Sequence, residues 1–386
     1  MTRQPQTPKR RINAGAFAKF CGPSLAVFMM AAAAASAETD DWTWFRGTPE
    51  STGVARAPLP DKLEVLWRFT VKDGAFGGTA VIVGDRAYIG DLDGVLYALD
   101  MVTGEQIWKY ETPLGFSTSA SYLEGRVYIG DMDGVFYCLD GTTGDLLWKS
   151  LAELEINSSA NFFDGNVLFG SQDATLYCLN SETGEEVWTF TIEDQIRCSP
   201  TIVQSRCFLA GCDARLHVVD LIKGEKETDV QIDGPTGSTP AAVGDVVYFG
   251  TQGGTFFAVD WKQSDVLWTF RDGERNQEFR GSAAVRDDLV IVGGRSKMIY
   301  ALNAKTGDEV WSYATRGRVD SSPVIAGDRV YVGSSDGRLY VFDMKSGELI
   351  REHELGGGID GSPAIAAGRL IVAANDGVVT CFGAAK

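Results

Sequence analysis

The chain has 386 residues, 44% hydrophobic and 23% charged, with 45 Gly and 12 Pro, which is enough apolar material for a packed core and too little charge bias for a disordered chain. Its formal net charge is −17, and so acidic a surface repels phosphate backbones and anionic lipid heads, which argues against nucleic acid as a partner. Two histidines, His217 and His353, leave little material for imidazole catalysis or a poly-His metal site.

Residues 1–37 read as a cleavable secretory signal. Lys9, Arg10, Arg11 and Lys19 accompany an apolar run from Ser24 to Ala35, and Ala35-Ser36-Ala37 supplies the small residues a signal peptidase accepts. The run is about 12 residues, against about 20 for a helix that crosses a bilayer; an uncleaved anchor is the alternative. Cys21 precedes the run and follows bulky Phe20, the wrong arrangement for lipoprotein processing, while Arg10-Arg11-Ile12-Asn13 fits a twin-arginine signal poorly. No second apolar run follows, so the mature chain is expected to be exported, soluble in the periplasm or cell envelope, and not an integral membrane protein.

Residues 38–60 form an N-terminal lead segment, and residues 61–386 carry one internal repeat. Trp108, Trp148, Trp188 and Trp268 stand at spacings of 40, 40 and 80, with Trp311 43 residues further on and Trp67 41 residues before Trp108. Thr228 and Arg351 occupy the two vacant places. Each unit opens with a hydroxyl and then Ala or Pro, from Thr79-Ala80 through Ser119, Ser159, Ser199, Thr239, Ser282 and Ser322 to Ser362-Pro363. A Gly-Asp turn follows, then a β-branched and aromatic run such as Ala87-Tyr88-Ile89-Gly90. A second turn (Asp93-Gly94) leads to a third run (Leu96 to Asp100), and Thr103-Gly104 turns into a fourth ending at Trp108. Short β-rich runs joined by tight turns are hairpin-linked strands, and four per unit make a propeller blade.

The eighth unit stops one strand short, while the strand around Trp67 has no unit before it. The N-terminal strand is therefore expected to complete the C-terminal blade, removing an open edge and closing an all-β, eight-bladed propeller of four-stranded antiparallel blades. Seven blades with a stray eighth, or an open solenoid, are the alternatives.

Ala98-x-Asp100-x-x-Thr103-Gly104-x-x-x-Trp108 resembles the tryptophan-docking motif of PQQ-like (quinoprotein-type) propeller repeats. The motif recurs at Cys138–Trp148, Cys178–Trp188 and Ala301–Trp311, more loosely at Ala258–Trp268, and Trp42-x-x-Phe45-Arg46-Gly47 is similar to a segment that precedes many such arrays. The resemblance covers residues 41–386 and implies the fold. It leaves the chemistry open, because the same repeat serves quinoprotein dehydrogenases and the non-enzymatic outer-membrane assembly factor BamB.

Trp67, Trp108, Trp148, Trp188, Trp268 and Trp311 are expected to fill the gaps between blades rather than stack a cofactor. His217 falls in the column of Tyr97, Tyr137 and Tyr177, so it replaces a core aromatic, and neither histidine has a partner suggesting a triad. Asp91-x-Asp93-Gly94 resembles the start of a calcium loop but lacks the downstream bidentate Glu, which favours a plain turn. Cys138, Cys178 and Cys381 read as packed thiols; in the fourth unit a hairpin at Gln204-Ser205 brings Cys212 near Cys198, where a disulfide is plausible in an oxidising compartment.

Ligands are expected at the axial mouth, where the chain offers Asn157, Arg197, Arg280, Asp320 and Asp360, with Arg318 further out. On the same face, Asp91, Asp93, Asp131, Asp133 and Asp173 oppose Arg275, Arg295 and Lys297, which predicts an acidic arc facing a basic arc; an ordinary solvated rim is the bland alternative. By resemblance, a quinoprotein dehydrogenase carries an adjacent Cys-Cys pair and a calcium ion held by Glu, Asn and a catalytic Asp. This sequence has no adjacent Cys pair. The expectation is thus a non-catalytic scaffold for an envelope protein, such as an outer-membrane assembly complex, with no cofactor; the alternative is a PQQ-binding quinoprotein, an alcohol or sugar dehydrogenase that also needs calcium.

Overall fold

The structure, a computed structural model, describes residues 40–273 and 275–384; the expected signal at residues 1–37 lies outside the described residues. Blade 1 is built from β2 (Val81–Val83), β3 (Arg86–Gly90), β4 (Val95–Asp100) and β5 (Gln106–Glu111), and β1 (Glu64–Thr70) precedes it. Its first hairpin is a two-residue loop in which Gly84 adopts φ 57°, a conformation that two-residue hairpins require and glycine supplies without steric cost. At the next turn Asp91 clamps the backbone: its Oδ1 accepts the N–H groups of Asp93 and Val95 at 3.0 and 2.7 Å, and its Oδ2 accepts the Tyr97 hydroxyl at 3.0 Å. Asp131 repeats this in blade 2. The carboxylates thus serve as turn staples.

The pattern runs through eight four-stranded antiparallel sheets. In the eighth, Ala364–Ala366, Arg369–Ala373 and Val378–Gly383 supply three strands and β1 the outermost, with Trp67 opposite Cys381. The N-terminal strand therefore closes the ring. Among the described residues no helix is long and apolar enough to cross a membrane.

Each tryptophan of the repeat column docks on the next blade. The Trp67 Nε1–H donates to the Met101 carbonyl at 3.0 Å, and its ring covers Gly104, where an added Cβ would come within 2.5 Å of it. Trp108, Trp148, Trp268 and Trp311 do the same over Gly144, Gly184, Gly307 and Gly347, while Trp188 covers Gly224. Gly is needed here both for close approach and for its positive φ. The vacant place at Thr228 is repaired in two ways. Thr228 Oγ1 lies 3.0 Å from the hydroxyl of Ser264, which replaces the docking glycine, and Trp261 fills the gap against Phe208 with ring centroids 5.4 Å apart. At Arg351 the stretch just before β1 intervenes, where Asp61 and Leu63 line a small cavity with Arg351 and His353.

The lead segment crosses the end of the axial channel opposite the predicted ligand mouth. Trp42 exchanges both backbone hydrogen bonds with Ile82, and the Thr43, Pro49, Glu50, Thr52 and Gly53 carbonyls accept N–H groups from the innermost strands of blades 2, 4, 5, 6 and 7. Within it Arg46 is 0% exposed. Its guanidinium donates to the carbonyls of Ala283 and Pro323 at 3.0 and 2.5 Å and, at 3.4 Å, of Ser322, while burial lowers its pKa to about 9. A cation stripped of water is tolerated here because carbonyl dipoles converge on it.

Candidate functional site

The innermost strands begin with the hydroxyl column, and these hydroxyls form a closed ring. The backbone N–H of each unit donates to the hydroxyl oxygen of the next: Thr79 to Ser119, Ser119 to Ser159, Ser159 to Ser199, Ser199 to Thr239, Thr239 to Ser282, Ser282 to Ser322, Ser322 to Ser362 and Ser362 to Thr79, at 2.8–3.3 Å. A hydroxyl followed by Ala or Pro suits the place because the side chain must be small, must accept a hydrogen bond and must not project further. The ring lines a cup of about 140 Å³ with Phe45 of the lead segment in its wall, and Asn157, Arg197, Arg280, Asp320 and Asp360 around it. Five of the predicted binding residues are therefore brought together.

Their polar groups are largely spent on neighbours. Asn157 Nδ2 donates to Ser117 Oγ and Glu155 Oε1 at 3.0 and 2.7 Å, and Gln172 also bonds to Asn157. Arg197 Nε donates to Gln195 at 2.9 Å, and Arg280 Nε to Glu278 at 2.5 Å. Asn375 donates to Asp360 at 2.8 Å, leaving Asp360 Oδ1 buried without a partner.

Arg275, Arg295, Lys297 and Arg318 do not line the cup. Arg295 holds Asp320 through two nitrogens at 3.0 and 2.9 Å, and Arg318 reaches the same carboxylate at 3.2 Å. Arg316 lies 3.7 Å from Glu352. Along the predicted basic arc these guanidinia thus face Glu278 and Asp320 on adjacent links and Glu352 in a strand, which cancels part of their charge locally. Arg275 and Lys297 remain exposed. The acidic arc changes as well, because Asp91 and Asp131 are fully buried as turn staples and only Asp93, Asp133 and their neighbours carry charge to the surface.

His217 takes the aromatic place as expected, with Nε2 2.8 Å from Asp213 Oδ2, just as the Tyr177 and Tyr340 hydroxyls reach Asp173 and Asp336. Its partner is the turn carboxylate of the column. Cys198 and Cys212, for which a disulfide is plausible from the sequence, are free thiols in the structure. Burial raises the Cys198 pKa to about 12. Phe45 and Arg46 were not marked as site residues, and the signal that marks them is the unbroken motif they sit in.

The cup offers a quinone cofactor two guanidinium groups, those of Arg197 and Arg280 in its lining, and little room beside them. Its volume holds about four or five waters at roughly 30 Å³ each, whereas organic ligand pockets run to about 300–1,000 Å³. Among the described residues no group of three or more His, Cys, Asp or Glu is placed to hold a metal ion.

No curated protein matches the chain. Among solved structures, BamB from Moraxella catarrhalis is 18% identical with a TM-score of 0.72, covering 84% of this chain and 100% of its own. The quinohemoprotein alcohol dehydrogenase of Comamonas testosteroni is 16% identical with a TM-score of 0.77, covering 92% of this chain and 82% of its own. The computationally designed Ika8 protein is 17% identical with a TM-score of 0.74, covering 83% of this chain and 100% of its own. At these identities the likeness shows the fold alone. A family profile described as outer membrane protein assembly factor BamB matches residues 54–161, 155–271 and 267–380. The chain belongs to that family.

Proposed function

We propose that the chain is a non-catalytic, exported propeller that acts as a protein-binding scaffold in the cell envelope, its partner an outer-membrane assembly complex or a similar envelope protein. The observation that carries this reading is the axial cup: it is small, walled on one side by Phe45 and hydrogen-bonded around its whole circumference, while the mouth face around it is broad, polar and charged. Such a face offers many weak contacts over a wide area, which suits a macromolecule better than a small substrate. The family to which the chain belongs supports the same reading. Mild crosslinking and co-purification of the exported protein tests it: a stoichiometric envelope partner is expected, and recovery of a redox carrier, or of nothing, would contradict it.

One observation favours a second reading. Arg197 and Arg280 both border the cup, and guanidinium groups clamp carboxylates of the kind PQQ carries. Purified protein given PQQ and calcium decides between the two: alcohol-dependent or aldose-dependent dye reduction supports a quinoprotein, and no reduction supports the scaffold.

A further inference from the structure

We infer that blades 1 to 3 present an apolar, acidic docking surface for a basic amphipathic protein segment. This rests on the scaffold reading and gives the partner a chemistry. On the mouth face, turns and links alternate around the ring, and in these blades several of them carry leucines. Leu92, at the turn of blade 1, lies against the link to blade 2, where the Phe116 N–H donates to the Asp91 carbonyl at 2.8 Å. In that link Leu114 is 43% exposed, and the adjacent Gly115 carbonyl accepts the N–H of Met132 at 3.0 Å. The turn at Met132 in turn abuts the next link, where Leu154 is 53% exposed and Leu151, at the end of the preceding strand, 70%. These positions place exposed apolar side chains on successive turns and links from blade 1 to the link between blades 2 and 3, and clustered exposure of this kind marks an interaction surface.

Between Lys72 on one flanking link and Arg197 on the other, the turns and links of this arc carry charge of one sign. The turns and links from residue 91 to residue 194 on this face (91–94, 112–118, 131–134, 152–158, 171–174 and 192–194) contain no Lys or Arg. Asp93, Asp133, Glu153, Glu193 and Asp194 stand exposed along them. On the other side of the mouth, Arg280, Arg295 and Arg318 are held by Glu278 and Asp320, so the negative field is confined to one arc. Unlike charge guides a partner to the arc and sets its register, while leucines supply the dehydrated contact. A segment with Leu or Ile on one face and Lys or Arg on the other satisfies both.

The test uses the exported full propeller and a fluorescein-labelled amphipathic Leu/Lys peptide, with a Leu/Glu peptide of the same length as control. Replacing Asp133, Glu153 and Glu193 (D133N/E153Q/E193Q) should weaken the Leu/Lys peptide about tenfold at low salt, and L114S/L154S should weaken it severalfold without changing net charge. Neutralising three exposed carboxylates on the opposite face (E105Q/E182Q/E185Q) should cost less than about twofold. Circular dichroism confirms that each variant is folded. Equal loss from both faces, no loss from L114S/L154S, or equal capture of the Leu/Glu peptide would overturn the proposal. If crosslinking recovers an envelope partner attached elsewhere, the scaffold reading stands and this surface fails.

Discussion

The backbone N–H of Ser362 donates to Thr79 Oγ1 at 2.9 Å across 283 residues of sequence. This one bond joins the last blade to the first at the axis, and it completes a circle in which each unit's hydroxyl receives the N–H of the unit before it. Thr79→Val keeps the shape and removes the acceptor, leaving the Ser362 N–H buried and unpaired, which costs about 1–3 kcal/mol. Thr79→Ser should recover most of that stability. Chemical denaturation of the two variants separates the lost hydrogen bond from lost packing.

At the rim, closure depends on Trp67, buried against Gly104 of blade 1. Trp67→Ala should cost about 3–5 kcal/mol. Deleting residues 38–70 removes the outermost strand of the eighth blade together with the segment that crosses the channel, so the truncated chain should aggregate through its bare edge. An unchanged melting temperature in a soluble truncation would refute the closure.

His353 sits at the seam between blades 7 and 8, with its ring 4.9 Å from that of Phe382. Burial, and then the nearby Arg351, lower its pKa below the ordinary histidine value. Between the lowered value and about 6.5 the unfolded chain binds more protons than the folded one. The contribution to stability is therefore present above about pH 6.5 and is lost as pH falls through the folded value. Denaturation midpoints between pH 5 and 7 should show this slope in the wild type, and His353→Phe should flatten it.

The thiols make a chemical prediction. Burial is the first cause of the raised pKa at Cys198, Cys207 and Cys212, and a protonated, buried thiol does not alkylate. Iodoacetamide at pH 8 should label none of the three in the native protein and all three once it is unfolded. If the exported protein is two hydrogens lighter in mass and its Cys198 and Cys212 stay unlabelled after unfolding, the bridge forms after all.

The architecture was legible because its determinants repeat. A tryptophan every 40 residues and a hydroxyl in every unit announce eight equivalent blades, and the unpaired strand around Trp67 announces the closure. What stayed hidden does not repeat. Residues 40–56 carry no period, so their path across the channel and the burial of Arg46 follow only from the three-dimensional ring. Trp261 repairs the gap at Thr228 from a neighbouring turn, a substitution visible only in space. Arg295 and Asp320 are 25 residues apart and meet because the turn of blade 6 lies beside the link to blade 7. An Asp in a turn reads as solvated, and Asp91 and Asp131 are instead buried by the tyrosines they staple.

The proposed scaffold role requires that partners dock on the mouth face. Photo-crosslinking in the cell tests it most directly, with a benzophenone side chain introduced at Leu154 on the mouth face or at Ile222, which is 74% exposed on the opposite face. The account predicts a discrete adduct with an envelope protein from position 154 and none from position 222. Adducts of equal yield from both positions, or from position 222 alone, would contradict it.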